Sequence, residues 1–226
     1  MLPNKIDLVV PAEQLKNWQD IVDMLASILK IPSALIMRFT DPSIEVFVSS
    51  NSESNPYHVG EHEVMHNSGL YCEHVINNKR ELLVPNALSD PVWRNNPDVK
   101  LNMISYLGFP IEKPDGKPFG TLCVLDNKEN HYSIDIEKLM DKLRNLIQYD
   151  ISILYANQLL GDRNKKVIDY LREIQQFRGM VYVCPYCKKI KGQDGLWHPF
   201  EKYMIKHPDA DFSHIACQDC ASKHDL

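Results

Sequence analysis

Nowhere in this chain do 18 apolar residues follow one another, and the amino terminus, Met1-Leu2-Pro3-Asn4-Lys5-Ile6-Asp7, has no basic segment leading into an apolar run. The expectation is a soluble, cytoplasmic protein with no membrane partner. Positive charge is also in deficit. Lys and Arg number 25 against 30 Asp and Glu, a formal net charge of −5, and lysines and acidic residues balance in the tail. That argues against a basic surface for nucleic acid. Glycine and proline nearly vanish between Ser133 and Arg178, where there is no proline and the single glycine is Gly161. The gap excludes a looped connection and admits one helix of ~69 Å at ~1.5 Å per residue. Kinase, cyclase and phosphodiesterase motifs are absent too, so no catalytic output domain is expected.

Four of the six cysteines crowd the C-terminal end as two C-x-x-C pairs, Cys184 with Cys187 and Cys217 with Cys220. Two residues between cysteines let one tight turn aim both sulfurs at a single ion, and two such turns supply the four thiolates of tetrahedral zinc. Zinc is the expected cofactor. Val181-Tyr182-Val183 reads as a strand entering the first pair, and Ala221-Ser222-Lys223 as a helical exit from the second. A rival reading exists, because Cys184-Pro185-Tyr186-Cys187 looks like the active-site tetrapeptide of glutaredoxins. That chemistry requires the first cysteine at a helix N-terminus, whereas Lys188 to Gly195 leads into a turn and then Leu196-Trp197-His198, which favours a hairpin. His198, His207 and His214 are substitutes for a cysteine ligand, with His214 nearest in sequence to Cys217.

Upstream, Leu15, Trp18, Ile21, Val22, Leu25, Ile28 and Leu29 recur at helical spacing after Pro11. Strand-like runs follow at 34–40, 44–50, 81–85, 104–112 and 119–126, with a helical patch at 70–77. Lys113-Pro114-Asp115-Gly116-Lys117 is a turn sequence that should join the last two runs as a hairpin. The order describes an α+β domain with a mostly antiparallel sheet. The histidines at 58, 62 and 66 repeat every four residues, but Asn55-Pro56 and Gly60 point to a solvated loop rather than a helix.

Gly69-Leu70-Tyr71-Cys72-Glu73-His74-Val75-Ile76, Leu83-Val84-Pro85-Asn86-Ala87, Tyr106-Leu107-Gly108-Phe109-Pro110-Ile111 and Phe119-Gly120-Thr121-Leu122-Cys123-Val124-Leu125-Asp126 occur in the order seen in bacterial GAF domains. The resemblance spans about residues 14–155. The tail is similar to a small cysteine-rich module found downstream of GAF, PAS and receiver domains in bacterial signalling proteins. The resemblance implies a GAF sheet flanked by helices, a long signalling helix and a small zinc-binding module. It also implies a small-molecule ligand between the sheet and the loops covering one face, and dimerisation through terminal helices. The expected layout is an extension at 1–13, a GAF domain at 14–155 whose last helix begins near 133, a helical continuation at 156–178, and a four-cysteine zinc module at 179–226.

Strand alternation puts Tyr106, Gly108 and Pro110 on one face of their strand, and Thr121, Cys123 and Leu125 on one face of theirs. Ser49, Asn51, Tyr71, Cys72, Trp93, Tyr106 and Cys123 are the expected ligand-binding residues. The plainer alternative is that the aromatics fill core and that Asn86 and Asp90 cap turns. Cys72 and Cys123 open an enzymatic reading, since free methionine sulfoxide reductases are GAF proteins with cysteines in this region; both nonetheless lie in apolar strings without a basic neighbour. Along the long helix Leu139, Leu146, Ile153, Leu160, Val167 and Ile174 recur every seven residues, while Leu143, Asp150, Asn157, Asn164, Leu171 and Arg178 form a mixed companion column. That pattern suits a homodimeric seam, with an irregularity near Gly161 allowed for. The functional expectation is a dimeric sensor signalling to a protein partner through its tail. A thiol-dependent enzyme and a constitutive scaffold are the alternatives.

Overall fold

Pro11 opens α1 (Ala12–Leu29), and Lys30, in the left-handed region at φ 54°, closes it with its N–H on the Ala26 carbonyl. The apolar spacing buries Trp18, Val22, Leu25 and Ala26. The structure, a computed structural model, describes residues 8–177, 181–192, 194–204 and 212–223. It divides into two compact units, 1–158 and 159–226.

The first unit is built on six antiparallel strands: β1 (Ser33–Thr40), β2 (Ser43–Ser49), β3 (His62–Val64), β4 (Leu82–Val84), β5 (Ser105–Glu112) and β6 (Pro118–Asp126). Their spatial order is β3-β2-β1-β6-β5-β4. The β5–β6 hairpin turns at 113–117 through Lys113 N–H to the Lys117 carbonyl. One segment departs from expectation. The histidine run is not all loop: its middle forms β3, an exposed edge strand pairing Glu45 with His62 and Ser43 with Val64. With all three of its residues facing solvent, the strand leaves no alternation of apolar residues to mark it.

Period-two alternation sorts the sheet's side chains onto two faces. Ala34, Ile36, Leu107, Phe109, Ile111, Leu122 and Val124 join Trp18 and Val22 of α1 in one core. Trp18, Phe47 and Phe119 meet there edge to face, with centroids 6.0–6.2 Å apart. Each fully buried large side chain contributes about 1.5–3 kcal/mol. Leu35, Ile44, Val46, Tyr106, Cys123 and Leu125 point to the opposite face. That face is covered by α2 (Tyr71–Asn78) and by the irregular stretch containing the 3-10 turns Ala87–Ser89 and Pro97–Leu101.

Ser133 accepts from the Ile136 and Glu137 N–H groups as α3 (Ile134–Phe177) begins. Met140, Ile147 and Ile151 are buried against the α1 side of the sheet. Asp150, a polar member of the companion column, accepts from the Trp18 indole at 2.9 Å and from Gln14, so its polarity belongs to helix packing within the unit. The helix runs through Gly161 without interruption, because open space around that residue makes no demand on it. The irregularity allowed for near Gly161 does not occur.

The second unit holds β7 (Val181–Val183), β8 (Ile190–Lys191), β9 (Trp197–His198) and β10 (Phe212–His214) in the order β10-β7-β8-β9. β7, β8 and β9 are antiparallel neighbours, the hairpin arrangement expected after Cys187, while β10 runs parallel to β7. α4 (Phe200–Met204) and α5 (Gln218–Ala221) complete it. α5 begins three residues before the expected helical exit, at the residue following Cys217. Among the described residues no helix is long and apolar enough to cross a membrane.

Candidate functional site

α2 starts at Tyr71, and its first turn drives Tyr71 and Cys72 into the loop-covered face of the sheet. Glu73 fixes that entry, accepting from the N–H groups of Asn67, Ser68 and Gly69. The Tyr71 ring stacks on Tyr106 at 4.7 Å and lies 5.3 Å from Trp93, which in turn meets His74 edge on. Tyr106 lies back over its own strand, so a Cβ on Gly108 would sit 2.0 Å from the Tyr106 hydroxyl. The glycine is what allows the ring to lie flat.

Cys72 and Cys123 meet at shared hydroxyls. Thr121 Oγ1 donates to Cys72 Sγ at 3.3 Å and lies 3.9 Å from Cys123 Sγ, and the Tyr106 hydroxyl is 3.5 Å from Cys72 Sγ. The neighbouring Cys123 thiol, with the Thr121 and Tyr106 hydroxyls, outweighs burial and lowers the Cys72 pKa. The hydrogen bond with Cys72, together with burial, raises that of Cys123.

Two residues that periodicity does not single out complete this region. Asp98, on the turn Pro97–Leu101, accepts from the Tyr57 hydroxyl at 2.8 Å. Burial, opposed by that hydrogen bond and reinforced by the charge of Glu63, raises the Asp98 pKa to about 6. The Tyr71 hydroxyl is fully buried and has no hydrogen-bond partner among the described residues. Burial first, then the charges of Asp98 and Asp90, push its pKa upward. An aspartate in an Asn-Pro-Asp stretch reads as turn chemistry, and the sequence signal there belongs to Asn96, whose side chain caps the Asp98 N–H.

The other expected residues divide. Ser49 is buried, donating to the Tyr57 carbonyl and accepting from Asn55, which places it in the loop network leading to Tyr57. Asn51 is exposed and held by both carboxylate oxygens of Asp23 on α1. It does not join the aromatic group, because its amide closes the α1 contact instead. Asn86 and Asp90 do cap turns, accepting from Leu88 and Val92 N–H.

In the second unit the sulfurs of Cys184, Cys187, Cys217 and Cys220 all lie within 4.8 Å of one another. Sulfurs about 2.3 Å from one tetrahedral zinc stand about 3.8 Å apart, and Cys187 and Cys217 are 3.5 Å apart. The donor set therefore fits a metal. Local burial opposes the Cys184 thiolate, but the N–H groups of Cys187, Cys217 and Tyr186 prevail and lower its pKa to about 6. Trp197 packs on the cluster. His198 is turned to Asp194 at 2.8 Å. His207 and the side chain of His214 lie outside the described residues.

The chain is similar to several solved structures. One is the GAF domain from Acinetobacter phosphoenolpyruvate-protein phosphotransferase, at 15% identity over 66% of this chain and 85% of that one, TM-score 0.51. Another is the GAF domain from a phosphoenolpyruvate-protein phosphotransferase of Coxiella burnetii, at 15% identity over 64% and 86%, TM-score 0.52. A third is the free methionine-R-sulfoxide reductase from Neisseria meningitidis in complex with its substrate, at 9% identity over 61% and 77%, TM-score 0.50. At these identities the likeness is one of fold. No curated protein matches the chain. The GAF domain family model matches residues 19–147, and with the antiparallel sheet, its covering helices and the long α3 this shows that the chain belongs to the GAF family of ligand-binding signalling domains.

Proposed function

We propose that this chain is a cytoplasmic, homodimeric bacterial sensor. Its GAF domain (14–155) binds a small molecule on the loop-covered face of the sheet. Its helix (continuing through 156–178) carries the change to a zinc-stabilised interaction module (179–226) that meets a signalling-protein partner. The observation that supports it most is the Tyr71 hydroxyl, fully buried without a partner beside the aromatic group of Trp93 and Tyr106. A buried orphan hydroxyl is costly in a finished core, and a ligand that bonds to it accounts for its survival. The signal would be a population shift, in which ligand favours one packing of the covering loops and so biases the helix pair. The test is native mass spectrometry of freshly purified protein. The expected mass is a dimer with one zinc per chain and retained small molecule or capacity for it; a metal-free monomer overturns the reading.

One observation supports a second reading. Cys72 and Cys123 both reach Thr121 Oγ1, and a thiol pair with one lowered pKa suits a thiol-dependent reductase of free methionine sulfoxide. Consumption of that substrate with a thiol reductant, abolished by Cys72→Ser or Cys123→Ser, would establish it. The sensor reading expects no turnover in wild type.

A further inference from the structure

Resting on the reading of the loop-covered face as a ligand site, we propose that its ligand is a small planar organic cation of the amidinium or protonated heteroaromatic class. The cation donates to the free oxygen of Asp98 and to the Tyr71 hydroxyl, against the ring of Trp93.

Charge carries the argument. Asp98 Oδ1 is taken by Tyr57; among the described residues Oδ2 has no hydrogen-bond partner, and no Lys, Arg or His forms an ion pair with Asp98. The groups whose charge reaches it are themselves acidic or weakly acidic: Glu63 from β3, Tyr57 from the loop after β2, Tyr71 and Cys72 from α2, Tyr106 from β5, and Cys123 from β6. Asp90 adds a second carboxylate near Tyr71. Among the described residues Asp90 has no Lys, Arg or His ion-pair partner either, and besides Tyr71 the one titratable side chain in ring contact with Trp93 is His74. A phosphate- or carboxylate-bearing ligand would therefore meet negative charge without a counter-ion. A cation would supply the missing partner of a half-buried carboxylate and be attracted by the aromatic face of the half-buried Trp93. Tyr71 is held between Tyr106 and Trp93, so the half-buried Trp93 is the ring left to receive a planar cation. Two N–H groups on one planar carbon match the need, one for Asp98 Oδ2 and one for the orphan Tyr71 oxygen.

Three probes of nearly one shape and different charge decide it: benzamidine, benzamide and benzoate, titrated calorimetrically into the full chain. Benzamidine is expected to bind about tenfold or more tightly than benzamide, with benzoate weakest. Its advantage should be lost in Asp98→Asn and should fall as the pH drops from 8 to 5, because the carboxylate protonates near pH 6 while the amidinium stays charged. Tyr71→Phe, which removes a buried hydroxyl that has no partner, keeps the fold and should weaken benzamidine severalfold even if Asp98→Asn misfolds. Equal or tighter binding of benzamide or benzoate would overturn the charge inference and leave the site reading standing. Failure of all three to bind wild type at millimolar concentration would remove both.

Discussion

Burial, with the nearby charge of Glu63, lifts the Asp98 pKa from the ordinary 3.8 to about 6 in spite of the Tyr57 hydrogen bond. A folded-state pKa above the unfolded one means that folding takes up a proton. The cost of holding Asp98 ionised is absent below about pH 4, grows between there and about pH 6, and is complete above. The gap corresponds to about 3 kcal/mol at most. Asp98→Asn keeps the oxygen that accepts from Tyr57, so it should stabilise the domain at pH 8 by about 1–3 kcal/mol and make no difference at pH 4. Urea unfolding of both proteins at the two pH values checks it, and a variant less stable than wild type at pH 8 contradicts the burial argument. Gly108 is a second decisive position. An alanine Cβ would lie 2.0 Å from the Tyr106 hydroxyl, so Gly108→Ala must displace the ring from its stack on Tyr71. We expect about 1–3 kcal/mol of destabilisation and a changed near-ultraviolet circular dichroism spectrum. An unaltered spectrum would mean that the stack does not depend on this glycine.

Within α3 the faces are unequal. Met140, Ile147 and Ile151 are fully buried, whereas Leu146, Ile153, Leu160 and Val167, at seven-residue spacing, are each more than half exposed. A run of exposed leucine, isoleucine and valine is what a partner helix would cover. Glutamate at Leu146 and Ile153 together should give monomers by light scattering while the melting temperature of the GAF unit changes little, because neither side chain packs on its core. Ile147→Glu should instead unfold the unit by placing an unpaired charge inside. A persistent dimer in the double variant would move the interface off this helix.

For the molecule as a whole, the two compact units imply two separable stabilities. Among the described residues the cysteine-rich unit buries few apolar side chains, chiefly Val181, Val183 and Ile190 beside Cys184, Cys217 and Cys220, so metal binding should supply much of its folding energy. Chelation is expected to open the second unit to protease while the first keeps its thermal transition. Metal analysis should return one zinc per chain in reduced protein. Chelation that left the second unit resistant would show that it stands without metal.

The sequence by itself determined the elements whose residues repeat at a fixed period. Those are α1 from its spaced apolar residues, β5 and β6 with the Pro-Asp-Gly turn between them, α3 from its want of proline and glycine, and the meeting of two Cys-x-x-Cys turns. In each the decisive interactions are local or set by spacing, so they can be read along the chain. Only tertiary structure added Tyr57 and Asp98 to the aromatic and cysteine residues expected on the loop-covered face. Tyr57, Tyr71, Asp98 and Thr121 come from four separate segments, and the signal of Asp98 in sequence is that of a turn. Asn51 was drawn to Asp23 of α1 and away from the aromatic group, and β3 formed without alternation because β2 offered it an edge. Burial and partner choice across the sheet are properties of the packed fold, and they gave Asp98 its raised pKa and left the Tyr71 hydroxyl without a partner.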